Sequence, residues 1–153
     1  MSTIYDKEEL SIDDVQKEVF RRMEKYDHKS FLECFFIYLG TAQILEFGLK
    51  KLLEERFNFT EEETEKLTLG QVRARLENVG LRRDYTELLK QVVKNRNSAA
   101  HELLVNQALI GCLGVDFSDR LQFKELKLSI FGLERAVFLF DYFQHNNAWV
   151  VNA

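Results

Sequence analysis

The chain has 153 residues, 46% of them hydrophobic and 30% charged, and a formal net charge of −4. This length suits one domain around a single core, and the composition is that of a soluble globular protein. The negative charge excludes a protein that binds polyanions with its whole surface. The sequence contains no proline, which favours long uninterrupted helices.

The two ends of the chain differ from the segment between them. The first ten residues, MSTIYDKEEL, are acidic and lack an apolar core, so they do not resemble a signal peptide. We expect residues 1–10 to be a flexible N-terminus, residues 11–145 to form a single helical domain, and residues 146–153 to form a C-terminal tail. Trp149 in that tail would either pack back onto the domain or contact a partner.

The cysteines and the most apolar stretch bear on the compartment. Cys34 and Cys112 lie among apolar neighbours, which favours two buried free thiols over a disulfide and fits a reducing cytosol. The stretch FLECFFIYLGTAQILEFGLKKLL is interrupted by Glu33, Gln43 and Glu46, which makes it a poor membrane span and a good buried helix. We therefore expect a cytoplasmic protein with no membrane partner.

Two amphipathic helices are predicted in the first third of the chain. Ser11 is a suitable N-cap for the first, whose apolar positions Ile12, Val15, Val19 and Met23 are spaced 3, 4 and 4. The second, residues 30–57, has apolar residues alternately 4 and 3 apart: Phe31, Phe35, Tyr38, Ala42, Leu45, Leu49 and Leu52. A second row, Leu32, Phe36 and Leu39, widens its buried stripe, so we expect this helix to be central.

The rest of the chain also follows a helical period. FNFTEEETEKLTLG predicts a loop with one short acidic turn, which Thr60 would cap. Further helices are predicted from Thr68 or Leu69 to about Gly80, over 82–105 and over 119–145, with LIGCLGVDFSD as a tightly packed connection. No segment alternates with period two. The sequence thus predicts an all-α, up-and-down bundle of four to five helices.

The apolar row of the helix over 82–105 is broken by a charged residue. The row is Leu89, Val93, Arg96, Ala100 and Leu103. A guanidinium at a core-facing position must be paired, reach solvent or face a second molecule, because an unpaired buried charge is very costly. Either a core acid such as Glu46 holds Arg96, or Arg96 serves a ligand. For Glu46 itself, an ordinary pair within its own helix is the favoured interpretation.

Asn97 and His101 are four residues apart and share a face of the same helix. That face is otherwise polar, so His101 would lie near the boundary of core and solvent. Arg96 and His101 point about 140° apart on an ideal helix. One straight helix therefore does not aim both at one point, unless the arginine stem swings across or another subunit completes the site.

Basic residues are concentrated just before this motif. Residues 71–96 contain seven bases and three acids. Four of these bases, Arg82, Arg83, Lys90 and Lys94, are candidates to bind phosphates of a substrate. The alternative is a solvated helical hairpin whose charges are balanced by ordinary pairs, and the sequence leaves both interpretations open.

At this point the sequence resembles a known family. The run Arg96-Asn97-Ser98-Ala99-Ala100-His101, late on a long helix of a small all-α chain, is similar to the Arg-x4–6-His motif of HEPN domains, in which a polar residue, often Asn, follows the arginine. The segment TLGQVRARLE and the aromatic-rich helix with Glu46 also resemble that family's layout. The resemblance spans roughly residues 11–145.

The resemblance implies a metal-independent endoribonuclease, such as a toxin of a toxin–antitoxin or defence system. It implies a homodimer in which two motifs meet in one cleft, RNA as substrate, and a nucleotidyltransferase-like antitoxin as a partner. Arg96, Asn97 and His101 would be the catalytic residues, and Glu46 a candidate to hold Arg96 from behind. No cofactor or metal is expected, since the histidines and cysteines show no ligand spacing. The alternative is a non-catalytic helical binding module with the same fold.

Overall fold

Every regular element in the described part of the chain is a helix. The computed structural model describes residues 2–113 and 119–151, and side chains outside 102–123. The α-helices are α1 (Ile12–Met23), α2 (Phe31–Phe57), α3 (Glu61–Glu65), α4 (Leu69–Asn78), α5 (Arg83–Leu113) and α6 (Asp119–Asn146), with 3₁₀ turns at Ile4–Asp6 and Glu24–Tyr26. The all-α class is thus confirmed, with six α-helices in these residues instead of four or five.

Two segments are more helical than the sequence pattern predicts. The acidic segment after α2 forms the short helix α3, which Thr60 does cap by accepting from the Glu63 N–H at 3.2 Å. Helix α5 continues to Leu113 instead of ending near 105. Its last residues include alanine and leucine and no proline, and the cost of a single glycine, about 1 kcal/mol, does not end a helix. Residues 114–118, the rest of the predicted connection, lie outside the described residues.

Side-chain caps set the starts of α1, α2 and α4, and the cap at Ser11 is the one of these three that the sequence predicts. Ser11, Ser30 and Thr68 each accept a hydrogen bond from the backbone N–H three residues on. Helix α2 ends at Asn58, which adopts a left-handed conformation with φ of 60°. Asparagine tolerates this conformation better than most residues, so the end of α2 is encoded locally.

Helix α6 lies at the centre of the fold and packs against α1, α2 and α5. The tail after it folds back, so Trp149 is buried and its ring lies 5.1–5.6 Å from those of Tyr85, Phe140 and Phe143. At the other end of the chain, Tyr5 in the first 3₁₀ turn packs against Phe138 of α6. Both chain ends are therefore attached to α6 within the described residues.

Only one of the two apolar rows predicted for α2 is buried. The row that contains Tyr38, Ala42 and Leu49 lies in the core, whereas Leu32 is 44% exposed and Phe36 60% exposed. The prediction that this second row widens the buried stripe is wrong for Leu32 and Phe36, and it holds only for Leu39, which is half-buried against the core. By length and composition α2 could also cross a membrane, but 39% of its most apolar window is buried against the rest of the chain.

A buried carboxylate ties the end of α1 to α6. Glu134 has no exposed surface; its Oε1 lies 2.6 Å from the ammonium of Lys25 and accepts a hydrogen bond from the hydroxyl of Tyr26 at 2.9 Å. Burial raises the pKa of Tyr26, and the nearby charge of Glu134 raises it further. Within the described part of the chain, Oε2 of Glu134 has no hydrogen-bond partner. The carboxylate is therefore stabilised through one oxygen only, mainly by Lys25.

We expect Lys25→Met to lower the free energy of unfolding by about 3 kcal/mol, since it leaves a buried carboxylate without its counter-charge. Urea denaturation at neutral pH measures this. Lys17→Met is the matched control: Lys17 pairs with Asp13 on the surface at 2.9 Å, and such pairs contribute less than about 1 kcal/mol. Equal losses in the two variants would contradict a structural role for the Lys25–Glu134 pair.

Candidate functional site

The site begins where the buried side of α5 changes from apolar to charged. Leu89 and Val92 are fully buried, and Arg96 follows on the same side of the helix but is only half-buried. Asn97 and His101 are exposed. Arg96 therefore lies on the core-facing side of α5, as the spacing predicts. It is not fully buried there, because its side chain reaches solvent.

The guanidinium of Arg96 bonds to the neighbouring amide side chain. Arg96 Nη2 donates to Asn97 Oδ1 at 3.2 Å. Asn97 precedes His101 by one helical turn, so the arginine head is turned from the core side of α5 toward the face that carries the imidazole. The sequence offers two ways to bring Arg96 and His101 to one point: the arginine stem swings across, or another subunit completes the site. The bond to Asn97 corresponds to the first.

Tyr38 of α2 belongs to this region, although the sequence pattern indicates only a core residue. Its side chain is fully buried, and among the described residues its hydroxyl has no hydrogen-bond partner. Burial raises the pKa of Tyr38 to about 12, while the neighbouring Ser129 hydroxyl and the charge of Arg96 act in the opposite direction. The Ser129 hydroxyl itself donates to the Glu125 carbonyl at 3.1 Å. The buried Tyr38 hydroxyl therefore lies close enough to Arg96 for the guanidinium charge to act on it.

Glu46 does not hold Arg96 in this structure. It is buried on α2, where its Oε2 accepts from Gln43 at 3.0 Å and lies 3.5 Å from the ammonium of Lys50. The residues are 3 and 4 positions away on the same helix, so this is the ordinary helix pair that the sequence favours. Arg96 forms no ion pair with any acid whose side chain is described.

An exposed row of positively charged and protonatable side chains runs along α5. Arg83, Lys90, Lys94, Asn97 and His101 are spaced 7, 4, 3 and 4, and all five are exposed. On a helix these spacings keep the side chains on one face over about 27 Å. Among the side chains that are described, none of the four basic ones has an ion-pair partner. We call these five residues the α5 basic face.

Arg82 does not belong to the α5 basic face. Its guanidinium forms two hydrogen bonds to Asp84, at 2.7 and 2.8 Å, and donates to the carbonyl of Ala148 at 3.0 Å. It also lies 3.9 Å from the ring centroid of Phe143. Hydrogen bonding to Arg82 holds the pKa of Asp84 below its usual value. The structure therefore separates Arg82 from the other predicted phosphate ligands.

Two of the seven bases in residues 71–96 are paired with acids of the same segment. Of the seven bases, Arg73 pairs with Glu77 at 2.8 Å and Arg82 with Asp84 at 2.7 Å. The five remaining bases are Arg75, Arg83, Lys90, Lys94 and Arg96, against one remaining acid, Glu87. The net charge of this segment is +4 whether or not its internal pairs are counted, and none of these five bases forms an ion pair with a described acid outside it. The described residues therefore give no balancing pairs, and the solvated hairpin stays an open interpretation.

A groove elsewhere on the molecule is not part of this site. It has a volume of about 920 Å³ and opens between the start of α1 and the C-terminal half of α6, with Arg82 and Asp84 on its rim. Asp84 and His101 are about 25 Å apart along α5. In the part of the chain that is described, no three His, Cys, Asp or Glu side chains form a group that could hold a metal ion.

Comparisons with protein-family models, with curated proteins and with solved structures found no match to this chain. The arrangement on α5 therefore has to be interpreted from its own geometry. A half-buried guanidinium bound to an amide, an exposed imidazole and a row of free cations together suit a ligand that carries phosphate groups.

We expect the adjacent pair Arg82 and Arg83 to respond in opposite ways to alanine. Arg82→Ala removes the Asp84 fork, the bond to the Ala148 carbonyl and the contact with Phe143, and should cost about 2 kcal/mol of unfolding free energy. Arg83→Ala should change it by less than about 0.5 kcal/mol. Urea denaturation of both variants decides; a larger loss for Arg83→Ala would contradict the assignment.

Proposed function

We propose that this protein is a metal-independent endoribonuclease of the HEPN type. The single observation that carries the proposal is the hydrogen bond from Arg96 to Asn97, one turn before the exposed His101, at the end of the α5 basic face. The Arg-x4-His spacing supplies the resemblance. The bond adds that the guanidinium is turned toward the imidazole.

RNA carries its own nucleophile, which is why these side chains suffice for the reaction. The ribose 2′-OH loses its proton to a base and its oxygen attacks the adjacent phosphorus. The bond from phosphorus to the 5′-oxygen breaks, and an acid protonates that oxygen. The products are a 2′,3′-cyclic phosphate and a 5′-OH, and no water is consumed.

Each residue has a chemical role in this scheme. His101 is the base or the acid, because imidazole exchanges protons near neutral pH. Arg96 stabilises the charge that builds on the phosphorane through its planar fork of donors. Asn97 holds the arginine head with its oxygen and offers its amide N–H groups to a phosphate oxygen.

One imidazole does not act as base and acid in the same step, so a second proton-transfer group is required. A second copy of the chain would provide it with its own His101, which is the homodimer that the resemblance implies. On the same resemblance, we propose a toxin of a toxin–antitoxin or defence system, acting on RNA in the cytoplasm, with a nucleotidyltransferase-like antitoxin as partner. Neither a cofactor nor a metal enters the reaction.

One observation favours a second candidate function. Helix α2 exposes large apolar side chains, including Ile44 at 72% and Phe47 at 61%. A continuous exposed apolar surface is typical of an interaction site. A non-catalytic binding module with this fold would use such a surface and would not need His101.

We expect His101→Asn to reduce RNA cleavage in EDTA by about 10² to 10⁴ in rate, the usual contribution of a positioned acid or base. His28→Asn is the matched control, because His28 is an exposed histidine with φ of 61°, where asparagine is tolerated. End-labelled RNA, both structured and unstructured, gives the rates. The cyclic phosphate is identified from its resistance to phosphatase before acid treatment.

Two outcomes would contradict the nuclease proposal. Cleavage that persists at the same rate in His101→Asn would show that another group, or a contaminating enzyme, cuts the RNA. Absence of cleavage by the wild-type protein, purified through denaturation and refolding to remove any bound inhibitor, would leave the binding module as the better account.

We expect Lys90→Gln with Lys94→Gln to weaken RNA binding in a salt-dependent way. For single strands, each lost phosphate contact lowers the slope of log K against log salt by about 0.7, so the double variant should lose about 1.4. The control is Lys17→Gln with Lys66→Gln, two exposed lysines that lie on α1 and just after α3. Binding is measured by anisotropy in the His101→Asn background. An unchanged slope would show that RNA does not follow the α5 basic face.

A further inference from the structure

One side of α2 exposes a continuous row of apolar residues. Leu32 is 44%, Phe36 60%, Ile44 72% and Phe47 61% exposed, and Gly40 lies between them. The spacings of 4, 4, 4 and 3 keep the five residues on one side of the helix for about 22 Å. We call this set the α2 apolar stripe. It lies on the opposite side of α2 from the buried residues Tyr38, Ala42 and Leu49.

The exposed area of the stripe is close to what a specific interface needs. Four large side chains at these exposures present roughly 400 Å² of apolar surface, or about 800 Å² for two copies. Stable protein–protein interfaces begin at about 1,000 Å² in total, with an apolar centre and a polar rim. Polar residues of α2 beside the stripe, such as Glu33, Gln43 and Lys51, can supply the polar rim.

The large apolar residues of the stripe are placed almost symmetrically about its middle residue. Gly40 is at its middle, with Phe36 four residues before and Ile44 four residues after; Leu32 and Phe47 lie eight before and seven after. A Cβ added at Gly40 would meet no atom within 4 Å, so the backbone there is open to close approach. If a second α2 lay antiparallel across Gly40, each Phe36 would meet the other copy's Ile44. This self-complementarity is the requirement for a two-fold interface.

The charges at the ends of the stripe are complementary under the same two-fold. Glu33 lies at its N-terminal end and Lys51 just past its C-terminal end, on the same side of α2. Lys51 covers the ring of Phe47 at 5.5 Å, and its side chain is 45% exposed. An antiparallel arrangement brings each Glu33 beside the other copy's Lys51. A parallel arrangement would instead place like charges together.

We propose that the α2 apolar stripe binds a second copy of this chain, with the two α2 helices antiparallel and crossing at Gly40. The pair is held by apolar contacts in the middle and by two Glu33–Lys51 ion pairs at the ends. The stripe lies on the side of α2 opposite the buried Tyr38, and it shares no residue with the α5 basic face. Any pairing of the two Arg96/His101 motifs uses a different surface, so this contact is independent of the nuclease proposal.

Sedimentation equilibrium over a concentration series tests the contact directly. We expect the wild-type chain to dimerise, and Ile44→Asp to raise the dissociation constant at least about tenfold, because the buried carboxylate occurs twice in a two-fold interface. Ile12→Asp is the matched control: Ile12 is 80% exposed on α1, outside the stripe. It should leave the dissociation constant unchanged.

Gly40→Gln separates loss of contact from loss of folding. Its side chain would enter open space, and replacing a helical glycine favours the helix, so the thermal midpoint of the monomer should rise. The same side chain blocks the crossing point, so the dissociation constant should rise at least about tenfold. Cross-linking after Gly40→Cys, which joins the two copies at the two-fold, should form a disulfide dimer efficiently.

Three results would overturn the proposal. The first is a monomeric wild-type chain throughout the series. The second is equal dissociation constants for Ile44→Asp, Ile12→Asp and wild type. The third is binding of the wild-type chain to neutral phosphatidylcholine vesicles that Ile44→Asp abolishes, which would assign the stripe to a lipid surface. The first result would also contradict the homodimer of the nuclease proposal. The second and third results concern the stripe alone, and because RNA cleavage is not a readout in either, they leave the nuclease proposal to its own test.

Discussion

A carboxylate with no exposed surface lies in the middle of the central helix, and the packing around it depends on keeping that charge compensated. Glu134 requires the ammonium of Lys25 and the hydroxyl of Tyr26, which both come from the 3₁₀ turn after α1. This requirement fixes the end of α1 against α6, because any slip along α6 would separate the charges. The rest of α6 can then present apolar side chains to α2 and α5. The cost of burying this charge is an unfavourable desolvation of Oε2, which no hydrogen bond within the described residues offsets.

The sequence predicts the helices of this fold better than it predicts what covers them. The period in α2 identifies the buried row because apolar residues 3 and 4 apart recur over the whole helix. The same period places Leu32 and Phe36 in a second apolar row, but it does not say whether that row meets the same chain, another chain or water. The sequence likewise does not say whether Trp149 packs onto its own domain or contacts a partner. In the structure the tail packs back and Trp149 is buried. Periodicity describes one helix at a time, whereas burial depends on neighbours that the pattern does not name.

The candidate site was predictable in its residues and not in its contacts. The spacing of Arg96, Asn97 and His101 on α5 follows from helical geometry alone. The bond between Arg96 and Asn97 depends on a rotamer, and the proximity of Tyr38 depends on how α2 packs, so neither follows from spacing. Counting the basic residues of a segment groups Arg82 with the candidate phosphate ligands, because such a count does not distinguish paired from unpaired bases. Its partners in the tail, more than sixty residues later, make it a structural residue instead.

The position of Trp149 gives the molecule a built-in optical probe. It is the sole tryptophan in the sequence, and its indole lies in a ring cluster that joins α5, α6 and the tail, with its N–H donated to Gln144 at 2.8 Å. Tryptophan emission therefore arises from one known place, the corner where Arg82 meets the tail. A red shift of that emission records the moment this corner opens to water, while circular dichroism records the helices. Comparing the two signals distinguishes detachment of the tail from melting of the whole bundle, without any added label.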